Sequence, residues 1–435
     1  GTLNALMIPG GTGGTVSVPA AIKLVFNGTE NPVTIGGSET ISSASAAGGG
    51  SANPINFLSM GRNLPGGRVV SRTKSTSTDG GNSTQATIPQ GAIIVDNGGS
   101  TTATVSAGIF VDGGTGGADN VTALAGSIVI TGAGNDTISA PSGNNSIDGG
   151  LGENRIILGT GQNLVFSSGQ DTIRMGGGNA TVIGADNSVG IAHVGPAPDI
   201  LIQGGGGTLN FLNGAGSATV TAGSGSVTVN GGEGGGLFQG GSAGNNLLIT
   251  GQNASTLVGG GAGDRLIANN AANNVLLAGA GNVTLDGSYG TGDNQFTGGT
   301  TSRSETVIFT GAGNDTVIGG RGEATIHGSD GDDLIIAARR GGTIFTGSGN
   351  ETITLGRGRD VVEFTNGEAG GDDIISGFKL HSDKSVLSGY GPDAISQALA
   401  SAHAVDGGVA FSLPDGTEVT VEGVTKLTST YFQLG

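Results

Sequence analysis

Residues 311–337 read GAGNDTVIGGRGEATIHGSDGDDLIIA. Short triplets of β-branched and aliphatic residues alternate with turns of Gly and Asp, and the centres of those triplets, Val317, Ile326 and Ile335, stand nine residues apart. The same step continues through Ile344, Ile353 and Val362. Nine residues is too short for a pair of helices, and no 3.6-residue period is present, so each unit reads as a strand of three or four residues followed by a Gly-rich turn. Two units make one 18-residue coil. Stacked coils place their apolar centres between two sheets, which predicts an all-β chain: a parallel β-roll, or β-solenoid, with two facing parallel sheets.

The nine-residue step recurs upstream at Ile138, Ile147, Ile156, Val165, Ile173 and Val182, with one step of eight, and at Leu248, Leu257, Leu266 and Leu276, with one step of ten. The repeat is therefore assigned to 113–377, between an N-terminal β-rich and low-complexity segment (1–112) and a small α+β C-terminal cap (378–435). Composition agrees with a packed solenoid rather than a disordered chain. The 435 residues include 92 Gly, yet 35% are hydrophobic and the mean hydropathy is +0.07, so the glycines punctuate structure. With no Trp and 4% aromatic residues, the core falls to Val, Ile, Leu, Thr and Ala.

A net charge of −17 argues against a nucleic-acid partner, whose phosphates need a basic footprint, and favours hard cations. No Cys is present, which removes disulfides and thiolate metal sites and fits a secreted protein. No apolar run reaches the roughly 20 residues of a membrane span, and no charged-then-apolar leader opens the chain. The sequence starts at Gly1 rather than Met, as a processed or truncated chain would.

The units TGAGNDTVI from Thr310, GSDGDDLII from Gly328 and TGAGNDTIS from Thr131 resemble the G-G-x-G-x-D-x-U-x nonapeptide of the RTX (repeats-in-toxin) family, a calcium-binding parallel β-roll. The resemblance covers roughly the segment 113–377. It implies Ca²⁺ as the cofactor, with each turn giving half a site: main-chain carbonyls from its first residues and the carboxylate of its sixth. The matching half-site lies one coil away. It also implies export by a bacterial type I system and folding in calcium outside the cell, a reading to which the ending LTSTYFQLG adds.

Turns on one edge of the roll must lie about 18 residues apart, and the acids obey this rule. One edge of the C-terminal block carries Asp315, Asp333 and Glu351, while Ala324 and Gly342 stand on the other. The first block places Asp136, Asn154 and Asp171 on one edge, with Asn145, Asn163 and Ala180 between them. Asp264 falls between Asn246 and Asn282. Carboxylates with carbonyl-rich turns suit Ca²⁺, whereas an amide suits a ladder to the next coil, so calcium is expected mostly along one edge. Asp330 in GSDGDD, and Asp360, Asp372 and Asp373 in the RTX-like stretch GRDVVEFTNGEAGGDDIISGF (358–378), complete the candidate ligands. A lone Asp in such a turn is more commonly an Asx-turn residue; register reverses that for Asp315 and Asp333.

Beyond the repeat, PDAISQALASAHA (392–404) reads as a short amphipathic helix with Ile395, Leu399 and Ala402 on one face and Asp393 near its start. VAFSLPDGTEVTVEGV reads as a hairpin turning at Pro414-Asp415-Gly416. In the N-terminal segment Arg62, Arg68, Arg72 and Lys74 concentrate positive charge, suiting an arm that docks on the acidic roll of another subunit.

Catalytic signals are weak. His193, His327, His381 and His403 are scattered, no HExxH occurs, GGSAG around Ser242 lacks a strand-turn-helix context, and Asp332 with Asp333 is better explained by register than as a glycosidase pair. The expectation is a non-enzymatic, extracellular calcium-binding structural protein that folds on Ca²⁺ and self-assembles into a cell-surface layer or matrix fibre. Two alternatives stand: an adhesin or module binding surface polysaccharide, and the secretion and folding domain of a larger exported enzyme or toxin.

Overall fold

The computed structural model describes residues 100–112, 117–184, 189–193, 199–379 and 381–435, together with the strands Thr15–Ser17, Val33–Gly36, Glu39–Ile41, Ser83–Ile88 and Ile93–Asp96. The basic arm Arg62, Arg68, Arg72 and Lys74 lies outside the described residues. The chain divides into two compact units, 1–201 and 202–435, each built on a parallel β-solenoid with two sheets; the first also holds a small separate sheet of Thr15–Ser17, Val33–Gly36 and Glu39–Ile41.

In the first unit, one sheet stacks Ser83–Ile88, Ser100–Val105, Asn120–Ala123, Thr137–Ala140, Arg155–Leu158, Thr172–Met175 and Val189–His193 in parallel. The other stacks Ile93–Asp96, Ile109–Asp112, Ile128–Ile130, Ser146–Asp148, Gln162–Ser167 and Asn179–Gly184. Ile138 faces Ile156 and Ile156 faces Ile173, while Ile147 faces Val165 and Val165 faces Val182. Parallel pairing runs across 112/113, where the sequence suggests a boundary. The strands upstream of it have no G-G-x-G-x-D turns, and that is why a nine-residue count passes over them.

In the second unit, the first sheet runs from Leu209–Leu212 through Val227–Asn230, Leu247–Ile249, Asp264–Ile267, Val283–Asp286, Glu305–Phe309, Glu323–His327, Gly341–Phe345, Arg359–Thr365 and Lys384–Ser388. The second sheet runs from Ser217–Thr221 through Gly236–Gln239, Ser255–Val258, Val275–Leu277, Gln295–Thr297, Thr316–Ile318, Leu334–Ile336, Thr352–Thr354 and Asp372–Ser376. Val317, Ile335 and Ile353 stack in the second sheet and Ile326, Ile344 and Val362 in the first, all within 1% of full burial. Each such side chain contributes roughly 1.5–3 kcal/mol. On the outer face of the first sheet the His327 ring stacks between Phe309 and Phe345, with centroids 4.6 and 4.4 Å away.

The cap extends both sheets. Glu418–Glu422 pairs in parallel with Asp372–Ser376, Phe432–Leu434 with Lys384–Ser388, and Gly408–Ser412 closes an antiparallel hairpin on Glu418–Glu422. The last repeat strand of each sheet is thereby paired rather than left as an open edge. The helix is shorter than its sequence pattern suggests, Ala394–Ser401; Ala394 and Ala398 are buried in it, and Ile395 and Leu399 are half-buried. Asp393 makes no side-chain cap bond.

Close stacking of coils explains the glycine content. A Cβ on Gly331, whose φ is +121°, would lie 2.1 Å from the Gly313 carbonyl oxygen one coil away. At Gly367, φ +82°, nothing lies within 4 Å. Gly367→Ala should cost about 1 kcal/mol, the ordinary price of a left-handed backbone, and Gly331→Ala at least about 3 kcal/mol in denaturant unfolding, from strain plus collision. Equal losses would mean that the coils are not packed this closely.

Candidate calcium row

Turns leading into the second sheet of the second unit carry two parallel rows of Asx and Glu residues. In the inner row a backbone N–H donates to the side chain one coil onward at every step except from Asp333 to Glu351: Ser255 to Asn274 Oδ1 (3.0 Å), Asn274 to Asn294 Oδ1 (3.0 Å), Asn294 to Asp315 Oδ1, Asp315 to Asp333 Oδ1 (2.8 Å) and Glu351 to Asp373 Oδ1 (2.9 Å). In the outer row, one residue earlier, the direction is reversed. There the N–H groups of Asp293, Asn314, Asp332, Asn350 and Asp372 donate back to Oδ1 of Asn273, Asp293, Asn314, Asp332 and Asn350.

The two rows differ in how they handle charge. The exposed outer row alternates amide and acid, Asn273, Asp293, Asn314, Asp332, Asn350, Asp372, so that no two carboxylates are adjacent at the coil spacing of about 4.8 Å. The inner row does not alternate. Asp315, Asp333, Glu351 and Asp373 follow one another in consecutive coils and are at most 2% exposed. Asp315 Oδ2, Asp333 Oδ2, Asp373 Oδ2 and both oxygens of Glu351 are buried with no hydrogen-bond partner. The Thr310 hydroxyl beside Asp333 gives its proton to the His327 carbonyl (3.2 Å). Burial pushes Asp333 up to about 6, and burial with the Asp333 charge pushes Asp315 up to about 8. Burial, then the facing Asp373 carboxylate, raises Glu351 as well. Carboxylates buried in a run with oxygens left without hydrogen-bond partners stay ionised only beside cations.

Calcium fits this row. The donors are hard oxygens, carboxylates from adjacent coils together with main-chain carbonyls packed where a Cβ would otherwise sit, as at Gly331 and Gly349, and Ca²⁺ takes about six to eight such ligands. Among the described residues no three or more His, Asp or Glu side chains converge on one point. Asp315, Asp333, Glu351 and Asp373 would hold the ion.

Other candidates separate from this row by their partners. Asp264 lies on the opposite edge, in register through Val283, Thr306, Ala324 and Gly342 with Asp360. Its Oδ1 accepts from Asn246 N and Nδ2, and its Oδ2 from Gly260 N and Gly261 N, so protein donors already satisfy it. Asn282 is not in this row; it accepts from Glu305 N in an outer position. In the first unit Asp171 is also satisfied, by Asn154 at Oδ1 and by Ser167 at Oδ2, and Asn154 bonds to Asp136 N and Gly149 O. Asp136 keeps a buried Oδ2 without a partner, and burial raises it. Asp330 and Asp372 are exposed; Asp330 accepts from Ser348 Oγ (2.8 Å).

Asp360 brings in two residues that the nine-residue count misses. Its N–H donates to Asp383 Oδ1, and the Lys379 ammonium lies among the Gly356 carbonyl, the Gly358 carbonyl (3.4 Å) and Asp383 Oδ2 (3.5 Å). A fixed side-chain cation thus occupies a turn whose carbonyl-and-carboxylate surroundings resemble half of an ion site. Burial and then the Asp383 charge push Asp360 up to about 6, with Lys379 acting against them. Lys379→Gln should lower thermal stability by about 2 kcal/mol at saturating calcium; an unchanged melting temperature would remove this role.

A family model of the RTX calcium-binding nonapeptide repeat (4 copies) matches residues 130–165, 240–272, 269–300, 309–339 and 343–362. No curated protein and no solved structure matches the chain. The strongest row of carboxylates falls within or next to the last two matched segments, and the self-satisfied Asp264 falls within another, so the repeat signature alone does not separate ion ligands from hydrogen-bonded turns. The chain thus carries RTX-type calcium-binding nonapeptide repeats in segments spread across residues 130–362, and calcium is the ion that such repeats bind.

Proposed function

We propose that the protein is an extracellular, non-catalytic structural component that orders on calcium and self-associates into a surface layer or matrix fibre. The observation that carries this reading is the inner row itself: its carboxylates lie in the turns that join the two sheets, so ion binding and coil stacking are one process. Calcium in such a position stiffens a scaffold. RTX repeats are typical of type I secreted bacterial proteins, and calcium is abundant outside cells, which supports an extracellular location. Among the described residues no helix is long and apolar enough to cross a membrane.

Self-association draws support from the outer face of the second sheet, where Ile318, Leu334 and Ile336 on two neighbouring strands, and Ile374 beyond the intervening Thr352–Thr354, are 40–43% exposed. Neighbouring exposed aliphatic residues favour contact with another surface. Sedimentation and negative-stain microscopy of the full chain at millimolar calcium, then in chelator, test the reading. Assemblies that dissolve in chelator are expected; monomers throughout would sink it.

A further inference from the structure

The edge opposite the calcium row carries a ladder of positive charge. Ile318, Ile336, Thr354 and Ser376 are successive partners in the second sheet, and three residues beyond each of them stand Arg321, Arg339, Arg357 and Lys379. Arg340 and Arg359 flank the same turns. These six are drawn from only 17 Lys and Arg in a chain of net charge −17, so their concentration on one edge of four coils is not the background composition. Lys379 is turned inward to Asp383, whereas all five arginines are exposed.

The arginines are largely uncommitted. Arg340 Nε lies 3.8 Å from Glu323 Oε1 and its Nη1 donates to the Ser302 carbonyl at 3.3 Å. Arg321, Arg339, Arg357 and Arg359 pair with no carboxylate among the described residues. The acids of that edge do not neutralise them: Asp360 and Asp383 are buried and engaged with Gly356 N–H and Lys379, and Glu305 and Glu323 lie at the N-terminal end of the stripe. Arg321, Arg339 and Arg357 therefore present one guanidinium per coil, at about 4.8 Å intervals along the stacking direction.

We infer that this ladder is a binding stripe for a linear, carboxylated or sulfated polysaccharide lying along the stacking direction. The coil spacing is on the scale of one sugar ring, so alternate arginines match the charges of a chain that is carboxylated on every second ring, and planar guanidinium forks match carboxylate and sulfate oxygens in pairs. A single row of side chains suits a thin chain with charge spaced along it. Duplex nucleic acid fits poorly: it needs a broad basic face, and the acidic remainder of the protein repels a dense phosphate backbone. The inference goes beyond the scaffold reading, because it supplies what such a scaffold would rest on.

Binding of the full chain to immobilised hyaluronate in 1 mM calcium, at about 50 mM salt where exposed charges are weakly screened, tests it. The wild type should be retained and released by rising salt, and should ignore neutral dextran. R321Q/R339Q/R357Q should bind at least tenfold more weakly while keeping the wild-type calcium midpoint, and R321K/R339K/R357K should fall between them, having charge without the fork. Hyaluronate binding no tighter than dextran binding, or an unaffected Gln variant, would overturn the stripe. Tighter binding to duplex DNA would make it a phosphate site, and loss of sedimenting assemblies in the Gln variant without loss of hyaluronate binding would make it a contact between copies; either contradicts the inference. Failure here leaves calcium-dependent assembly of the wild type to be judged separately.

Discussion

Without calcium the protein should melt far lower at pH 8 than at pH 5, and calcium should invert that order. In the unfolded chain Asp titrates near 3.9, whereas burial raises Asp333 to about 6 and Asp315 to about 8 in the fold. Between pH 4 and pH 8 the folded state therefore holds protons that the unfolded state has released, and stability falls as pH rises through that window. Below about pH 4 both states are protonated at these groups and the effect is spent. The loss spreads over consecutive coils, so a shift on the order of 10 °C is reasonable. Calcium replaces the protons. It binds the ionised row, adds about 2.7 kcal/mol per site at a hundredfold excess over Kd, and competes with acid, so with ion present pH 8 becomes the more stable condition. Circular dichroism melts at pH 5 and pH 8, in chelator and in calcium, measure this directly. Chelated protein that is equally stable at both pH values would show that these carboxylates are not buried as the fold places them.

Asp333 and Asp264 look alike in the repeat, yet their substitution should separate calcium affinity from stability. Asp333→Asn keeps the Oδ1 that accepts from Asp315 N–H and removes a buried charge whose second oxygen has no partner. Calcium affinity should drop at least tenfold, while the chelated protein becomes no less stable at pH 8. Asp264→Ala removes an acceptor of four hydrogen bonds from Asn246, Gly260 and Gly261 and leaves those buried donors bare. Its cost should be about 3 kcal/mol with or without calcium, with affinity within about twofold of wild type. Calorimetric calcium titration and denaturant unfolding of both variants decide the matter. Equal affinity losses would erase the distinction between the two edges.

The apolar register of the solenoid was legible because it depends on spacing alone: Val317, Ile335 and Ile353 stack as their 18-residue separation requires. Asp315 and Asp333 were legible for the same reason. Asn294 and Asp383 were not, because their coils are lengthened; Asn294 lies 20 residues after Asn274 and Asp383 lies 23 after Asp360, which throws them out of a nine-residue count. Nor does spacing distinguish adjacent positions. Asp332 and Asp333 differ by one residue, and yet one faces solvent in an alternating ladder while the other is buried. The saturation of Asp264 depends on the backbone N–H groups of Gly260 and Gly261 and on the orientation of the Asn246 amide, which are properties of the folded turn. Lys379 reaches its carbonyls across a coil, a contact that no repeat pattern encodes.

Calcium should lie along the inner row of one edge, beside Asp315, Asp333, Glu351 and Asp373. Anomalous scattering from crystals of the full chain grown in calcium would locate the ions themselves. Peaks are expected against Asp315 Oδ2 and Asp333 Oδ2 and between Glu351 and Asp373, with none at Asp264 or in the turn held by Lys379. Ions along the Asp264 edge, with the Asp315–Asp373 row bare, would contradict the account.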